Sequence, residues 1–105
     1  MSRLAFTMKL LSADYINEYK HRHDEIWDEL RSFLKEKGIS NYAILLDRKT
    51  LTLFAHLDIE NIDENKALAG YDIMKKWWAY MVDIMETNED MSPVVTPLEE
   101  MFYLA

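Results

Sequence analysis

The sequence predicts an α+β fold whose elements follow the order β-α-β-β-α-β. Apolar residues alternate with polar ones in short segments, which is typical of half-buried strands. Between these segments, apolar residues recur at three- and four-residue steps, which is typical of amphipathic helices. The chain has 105 residues, enough for one two-layer domain and few for two. This order predicts the ferredoxin-like arrangement, a four-stranded antiparallel sheet with both helices on one face.

The first strand and the first helix are predicted within residues 4–37. Four apolar side chains alternate with smaller or polar ones at the start: Leu4, Phe6, Met8 and Leu10. Ser12 is a suitable N-cap, and a helical period then continues to Lys37. Gly38 follows a basic last turn, so the helix is predicted to end there.

The second half of the sequence predicts two strands, two helical segments and a last strand. Residues 41–46 form a short apolar strand, and a polar turn of four residues, 47–50, predicts a hairpin. The returning strand has five alternating apolar residues: Leu51, Leu53, Ala55, Leu57 and Ile59. Gly70 is expected to separate a short helix from a longer one over 71–85. Residues 86–97 are predicted as a loop and residues 100–104 as the last strand.

One face of this sheet is left uncovered when both helices lie on the other. A row of apolar side chains, Leu4, Phe6 and Met8 or their alternates, would then face water. Pairing two sheets about a two-fold axis buries such a face, so the sequence predicts a homodimer.

The composition of the chain excludes several classes of partner and of catalytic chemistry. Nineteen acidic residues against twelve basic ones give a net charge of −7, which argues against nucleic acid and anionic membranes. Gly38 and Gly70 stand alone, so no glycine-rich phosphate loop is present, and zero cysteines exclude thiol chemistry. Three Trp, six Tyr and four Phe favour a neutral ligand with aromatic walls. With neither a signal peptide nor an apolar run of membrane-spanning length, the expected location is cytoplasmic.

The first helix contains a candidate acid/base group. Tyr19 and His23 are four residues apart and share a helix face, which Trp27 continues. An imidazole titrates near neutral pH, so His23 suits general acid/base catalysis, although a structural histidine bonded to tyrosine fits the pattern too. His21 lies about 200° round the helix from His23 and is expected to face solvent, which disfavours a metal pair.

The second candidate is the aromatic segment of the later helix. Adjacent Trp77 and Trp78 point about 100° apart, so one can pack in the core while the other walls a pocket. Indole faces suit the C–H surface of a sugar, although an ordinary aromatic core gives the same pattern. Tyr42 carries a hydroxyl among apolar residues at the start of a strand. His56 lies on the opposite strand face from Leu53 and has no predicted role.

Four segments together resemble the L-rhamnose mutarotase family over essentially the whole chain. They are residues 18–23 (EYKHRH) with Ile26 and Trp27, residues 41–44 (NYAI), residues 77–81 (WWAYM) and residues 102–104 (FYL). The family pattern has a proline between the helix histidine and the tryptophan. Here Asp24 and Glu25 stand in that stretch, a difference expected to straighten the helix locally.

The resemblance implies a dimeric ferredoxin-like α/β barrel, with residues 1–105 as a single mutarotase domain that interconverts the α and β anomers of L-rhamnose. It implies no metal or organic cofactor. Carried over by position, His23 resembles the proton donor of the family, and Tyr19, Tyr42, Trp77 and Trp78 resemble its sugar-binding residues.

Mutarotation needs one proton delivered to the ring oxygen and one removed from the anomeric hydroxyl. His23 is the expected acid, while Tyr19, another pocket group or a bound water remain candidates for the base. Two other functions stay open. One is a cofactor-free oxygenase or haem-degrading enzyme of the same dimeric barrel type, an analogy of fold only. The other is a non-enzymatic sugar-binding dimer.

Overall fold

The computed structural model describes residues 2–105 and confirms the α+β class with a four-stranded antiparallel sheet. The strands are β1 (Ser2–Lys9), β2 (Ile39–Asp47), β3 (Thr52–Ile59) and β4 (Thr96–Leu98). The helices are α1 (Ile16–Asp24), α2 (Asp28–Glu36), α3 (Ile62–Ala67) and α4 (Asp72–Met81). Within residues 2–105, no helix is long and apolar enough to cross a membrane. The expected cytoplasmic location stays a prediction.

The sheet has the strand order β2-β3-β1-β4, in which every neighbouring pair is antiparallel. The alternation predicted for β1 and β3 is confirmed, since Met8, Leu53, Ala55 and Leu57 are buried in the core. The hairpin is confirmed as well, because Asp47 pairs with Thr52 across a four-residue connection. Helix residues such as Leu30 and Met81 complete the same core, so one sheet face carries the helices.

The prediction of one continuous helix up to Lys37 is wrong. Ser12 caps a one-turn 3₁₀ helix by accepting a hydrogen bond from the Asp14 N–H, and α1 follows it. The chain then breaks over residues 25–27, where the Trp27 backbone is extended (φ −58°, ψ 133°). α2 restarts with Asp28 and Glu29, whose charges favour a helix N-terminus. The break therefore occurs without the proline of the family pattern, and the expected straightening is not observed.

The later helix is also shorter than predicted. α3 and a one-turn 3₁₀ helix that ends at Gly70 precede α4, and α4 ends at Met81. Ile84 and Met85 are nevertheless buried, because the turn after α4 folds back and pairs Met85 with Leu10. Their apolar character continued the helical pattern, although they reach the core from non-helical backbone.

The last strand was predicted at residues 100–104, and this is wrong. β4 lies earlier, where Thr96–Leu98 pair with β1. Pro97 favours a loop over these residues, but an edge strand tolerates proline because one side needs no N–H donor. The free edge of β1 is thereby occupied. Beyond it, Met101, Phe102 and Leu104 are exposed, and Arg3 holds this tail through Glu100 (2.7 Å) and the Tyr103 ring.

A β-bulge in β2 decides which side chains face the helices. Ser40 pairs with Asp58 and Ala43 with His56, so Asn41 and Tyr42 together lie opposite one residue. A strand that gains one residue turns every following side chain to the other face. Tyr42 and the residues after it, Ile44 and Leu46, therefore reach the helix-covered face. Asn41 adopts a left-handed conformation (φ 50°), which asparagine tolerates well, and its amide donates to Asp58 at 2.8 Å.

We expect Asn41→Gly to fold nearly as well as the wild type and Asn41→Val to be destabilised by about 1–2 kcal/mol, the cost of a left-handed residue with a Cβ. Both variants lose the amide contact with Asp58, so their difference isolates backbone strain. Thermal unfolding followed by circular dichroism gives the comparison. Equal stabilities would mean that the left-handed residue does not hold the bulge.

Candidate functional site

A cavity of about 740 Å³ lies between the helices and the covered face of the sheet. This volume falls within the range of small-molecule sites. Its walls come from β1, α1, α2, β2, β3 and α4, so the site depends on most of the fold. The predicted site residues all line it: Tyr19, His23, Tyr42, Trp77 and Trp78. Much of the remaining wall is apolar, including Met8, Ile44, Leu53, Met74 and Met81.

The predicted Tyr19–His23 column is confirmed, with the two rings stacked at a centroid distance of 4.3 Å. The His23 Nδ1 atom lies 3.0 Å from the backbone carbonyl oxygen of Tyr19. A carbonyl only accepts hydrogen bonds, so Nδ1 carries the hydrogen and donates it. In the neutral ring, Nε2 is then an unprotonated acceptor on the ring edge opposite this hydrogen bond.

Burial governs the charge of His23. The half-buried ring loses hydration, and this lowers its pKa below the ordinary value of 6.5, although the Tyr19 carbonyl and Asp24 oppose the shift. The neutral imidazole therefore predominates at pH 7. A neutral imidazole with a free Nε2 accepts a proton before it donates one.

Two tyrosine hydroxyls in the cavity stay protonated. Burial raises the pKa of Tyr19 far above its ordinary range, and the nearby Tyr42 acts in the same direction. Burial of the Tyr42 hydroxyl raises its pKa to about 12, although 41% of the residue surface remains exposed. Both groups are neutral phenols at pH 7, which donate and accept hydrogen bonds but are poor bases. This disfavours Tyr19 as the catalytic base.

The two adjacent tryptophans have different surroundings. Trp77 is buried, and its ring meets His23 edge-on at 5.4 Å and Trp27 at 5.1 Å. Tyr80 packs against both Trp27 and Trp77. Trp78 is half-buried and also borders the cavity. The cavity thus has a buried indole beside the imidazole and a second indole that is half-buried.

The other two histidines lie away from the cavity. His21 is exposed, as its position on the helix predicted. His56 is exposed on the open face of the sheet, opposite in direction to the buried Leu53 and Ala55. Among residues 2–105, no group of three or more His, Asp and Glu side chains is arranged to hold a metal ion.

Three charged residues that were not predicted as site residues also border the cavity: Lys20, Asp24 and Arg48. Lys20 lies three residues before His23, a spacing that placed it on the same helix face and was an available signal. Asp24 pairs with Lys20 at 3.0 Å. Arg48 lies in the β2–β3 turn, and only the tertiary fold brings that turn to the cavity.

The cavity therefore combines aromatic and apolar walls with one neutral imidazole and two phenols, and Lys20, Asp24 and Arg48 stand at its border. These groups suit a small neutral ligand that presents hydroxyl groups together with C–H surface. The imidazole is the group among them that transfers protons near neutral pH.

Comparison with known proteins agrees with this chemistry. A sequence profile of the family described as L-rhamnose mutarotase matches residues 3–104. The chain is 48% identical to an L-rhamnose mutarotase of Formosa agariphila over 104 residues, 99% of each chain. It is 45% identical to one of Escherichia coli over 104 residues, again 99% of each. It resembles a crystal structure of L-rhamnose mutarotase from Formosa agariphila with a TM-score of 0.91 and 47% identity, over 100% of both chains. The chain belongs to the L-rhamnose mutarotase family.

Proposed function

We propose that residues 1–105 form a single mutarotase domain that interconverts the α and β anomers of L-rhamnose in this cavity. Membership of the family makes the protein an isomerase. The observation that supports the assignment of the site is that His23 lines the cavity while its Nδ1 lies 3.0 Å from the Tyr19 carbonyl oxygen of its own helix. This contact leaves Nε2 as the nitrogen for proton transfer. The surrounding walls suit a neutral 6-deoxy sugar.

We propose that His23 moves the proton in both directions. Nε2 first takes the proton of the anomeric hydroxyl, and the resulting imidazolium then gives a proton to the ring oxygen. The bond between C1 and the ring oxygen breaks, leaving an open-chain aldehyde whose former ring oxygen is now a hydroxyl. Rotation about C1–C2 exposes the other aldehyde face, and the reverse transfers close the ring. Both oxygens are attached to C1, so one imidazole suffices for both transfers.

The other cavity residues hold the sugar in this scheme. The neutral hydroxyls of Tyr19 and Tyr42 donate hydrogen bonds to sugar oxygens, while the indoles of Trp77 and Trp78 cover its C–H surface. The apolar methionine-rich wall accommodates the methyl group of a 6-deoxy sugar. A site arranged in this way holds reacting groups close together, which contributes to the rate.

The acidity of His23 gives a test. Because the proposed mechanism starts from neutral imidazole and burial lowers the His23 pKa, kcat/KM should decline as the pH falls, and the midpoint of this decline should lie below 6.5. The decline follows protonation of the ring. Polarimetry of freshly dissolved L-rhamnose, corrected for the buffer rate, measures this. A rise in kcat/KM below pH 6.5 would make imidazolium the starting form and contradict the mechanism.

We also propose that two copies pair through the open face of the sheet, as expected from the sequence. The predicted apolar row itself points to the helices, and the open face carries its alternates. Leu45 and Phe54 pair across β2 and β3 on this face, and 57% and 42% of their surfaces are exposed. Leu98 pairs with Ala5 beside them. Exposed large apolar side chains on an open sheet face are typical of a protein interface.

Sedimentation velocity at micromolar concentration should give about twice the chain mass for the wild type, and Phe54→Glu should give the monomer. A carboxylate placed on an apolar side chain of the interface is costly to bury. His21→Glu, which introduces the same carboxylate on an exposed helix surface, is the control and should leave the dimer intact. A monomeric wild type would refute the dimer proposal.

A further inference from the structure

Helix α1 carries His23 but has little apolar surface to fix its position. Tyr19 is its buried residue, and its neighbours in the sequence INEYKHRHD are largely polar. Most helices in proteins are held in place by packing of an apolar face. The position of the imidazole therefore depends on other contacts between α1 and the rest of the fold.

Arg22, the residue before His23, makes these contacts. Its Nη1 group donates to the Tyr80 backbone carbonyl and to Asp83 Oδ1, both at 2.8 Å. Nη2 donates to Asp83 Oδ2 at 3.2 Å, which completes a bidentate pair, and Nε donates to Glu18 at 2.9 Å. Only 11% of the Arg22 side-chain surface is exposed. The planar guanidinium can form this set of bonds, whereas a lysine ammonium cannot match the fork.

These bonds join α1 to the end of α4. α4 ends at Met81, so the Tyr80 carbonyl belongs to the last turn and has no partner within the helix. A cation at this end is also favoured by the helix dipole. The guanidinium lies 4.6 Å from the Tyr80 ring centroid, and Tyr80 in turn packs against Trp77.

We propose that Arg22 is a positioning residue, which keeps the His23 imidazole at its place beside Trp77 by clamping α1 to the carboxyl end of α4. Arg22 does not line the cavity that holds the proposed reaction. It acts through His23, whose contact with Trp77 spans the same two helices. The expected effect on catalysis rests on the proposed function, but the expected effect on the environment of His23 does not.

The variants Arg22→Met and Arg22→Lys test the clamp, and Arg31→Met is the matched control, since Arg31 is an exposed arginine of α2. Arg22→Met should lower kcat for L-rhamnose about 10–100-fold, as expected when a reacting group is misplaced by about 1 Å. KM should rise less than kcat falls. Arg22→Lys should resemble Arg22→Met, because it keeps the charge but lacks the fork. Arg31→Met should match the wild type.

A second readout is independent of activity. The His23 ring should titrate closer to 6.5 in Arg22→Met and Arg22→Lys, because a loosened α1 lets water reach the ring. The charged groups beside the ring, Lys20 and Asp24, are paired with each other and are unchanged in these variants. Proton NMR of the three histidines, with the His23 signal identified by its loss in His23→Gln, measures this shift. Asp83→Asn keeps the shape of the side chain but weakens its bidentate pair with Arg22. This variant should shift the His23 titration in the same direction.

The outcomes separate the two proposals. If the wild type lacks mutarotase activity but the Arg22 variants shift the His23 titration, the proposed function fails and the clamp stands. If folded Arg22→Met, Arg22→Lys and Asp83→Asn leave both kcat and the His23 titration unchanged, the clamp is refuted. Wild-type behaviour of Arg22→Lys alone would also refute it, because charge without the fork would then be sufficient.

Discussion

Replacing His23 with glutamine should lower kcat/KM for anomer interconversion about 10²–10⁴-fold, the usual contribution of a general acid/base group. Glutamine has an amide that can donate to the Tyr19 carbonyl in place of Nδ1, so the local helix should persist. It has no group that exchanges a proton near neutral pH, and both proposed transfers are lost. Polarimetry gives the rates, and circular dichroism verifies that the variant is folded.

His21→Gln is the matched control. It makes the same substitution two residues earlier on the same helix, at an exposed position away from the cavity. Its kcat/KM should equal that of the wild type. Equal losses in both variants would point to a general effect on α1, and full activity of His23→Gln would remove His23 from the chemistry.

Replacing Trp77 with alanine should affect stability and substrate binding together. The indole is only 8% exposed and packs against His23, Trp27 and Tyr80, so its loss should cost about 3–5 kcal/mol. That is a large share of the about 5–15 kcal/mol that stabilises a typical domain. Any folded fraction should show a raised KM, because one wall of the cavity is missing. Urea unfolding followed by circular dichroism gives the free energy of unfolding.

Trp78→Ala provides the comparison. Trp78 also borders the cavity but is half-buried, so its removal should raise KM with a smaller loss of stability. Trp77→Phe should recover much of the stability lost in Trp77→Ala, because an aromatic ring still fills the space. If the two alanine variants lost equal stability, the structural distinction between the tryptophans would be wrong.

Local sequence patterns predicted the elements whose boundaries and buried face depend on neighbouring residues. The alternation in β1 and β3 and the glycine after α2 are of this kind, since period and cap are properties of neighbouring residues. The break over residues 25–27 was not predicted, because the apolar period continues across it. The contact of Trp27 with Trp77, which lies across the break, is distant in sequence and gives no local signal. Residues 100–104 have the composition of a strand but are exposed, and composition does not reveal whether a sheet edge is already occupied.

Some residues of the candidate site were likewise predictable from local spacing, and others were not. The four-residue spacing of Tyr19 and His23 places them on one helix face, and this spacing alone predicted their contact. For Tyr42, a regular strand would have placed the hydroxyl on the open face, opposite His56, and only the bulge at Asn41 turns it inward. The sequence gives no separate role to Arg22 within the family motif. Its partners Tyr80 and Asp83 are distant in sequence, and their proximity is a property of the tertiary fold.

Anomer exchange measured by proton NMR tests the central claim most directly. One anomeric proton of equilibrated L-rhamnose is saturated, and the intensity of the other is followed with wild-type protein, with His23→Gln and with buffer alone. We predict transfer of saturation with the wild type, well above the buffer level, and transfer near the buffer level with His23→Gln. Transfer at the buffer level with folded wild-type protein would contradict the assignment of this cavity as the site of L-rhamnose mutarotation.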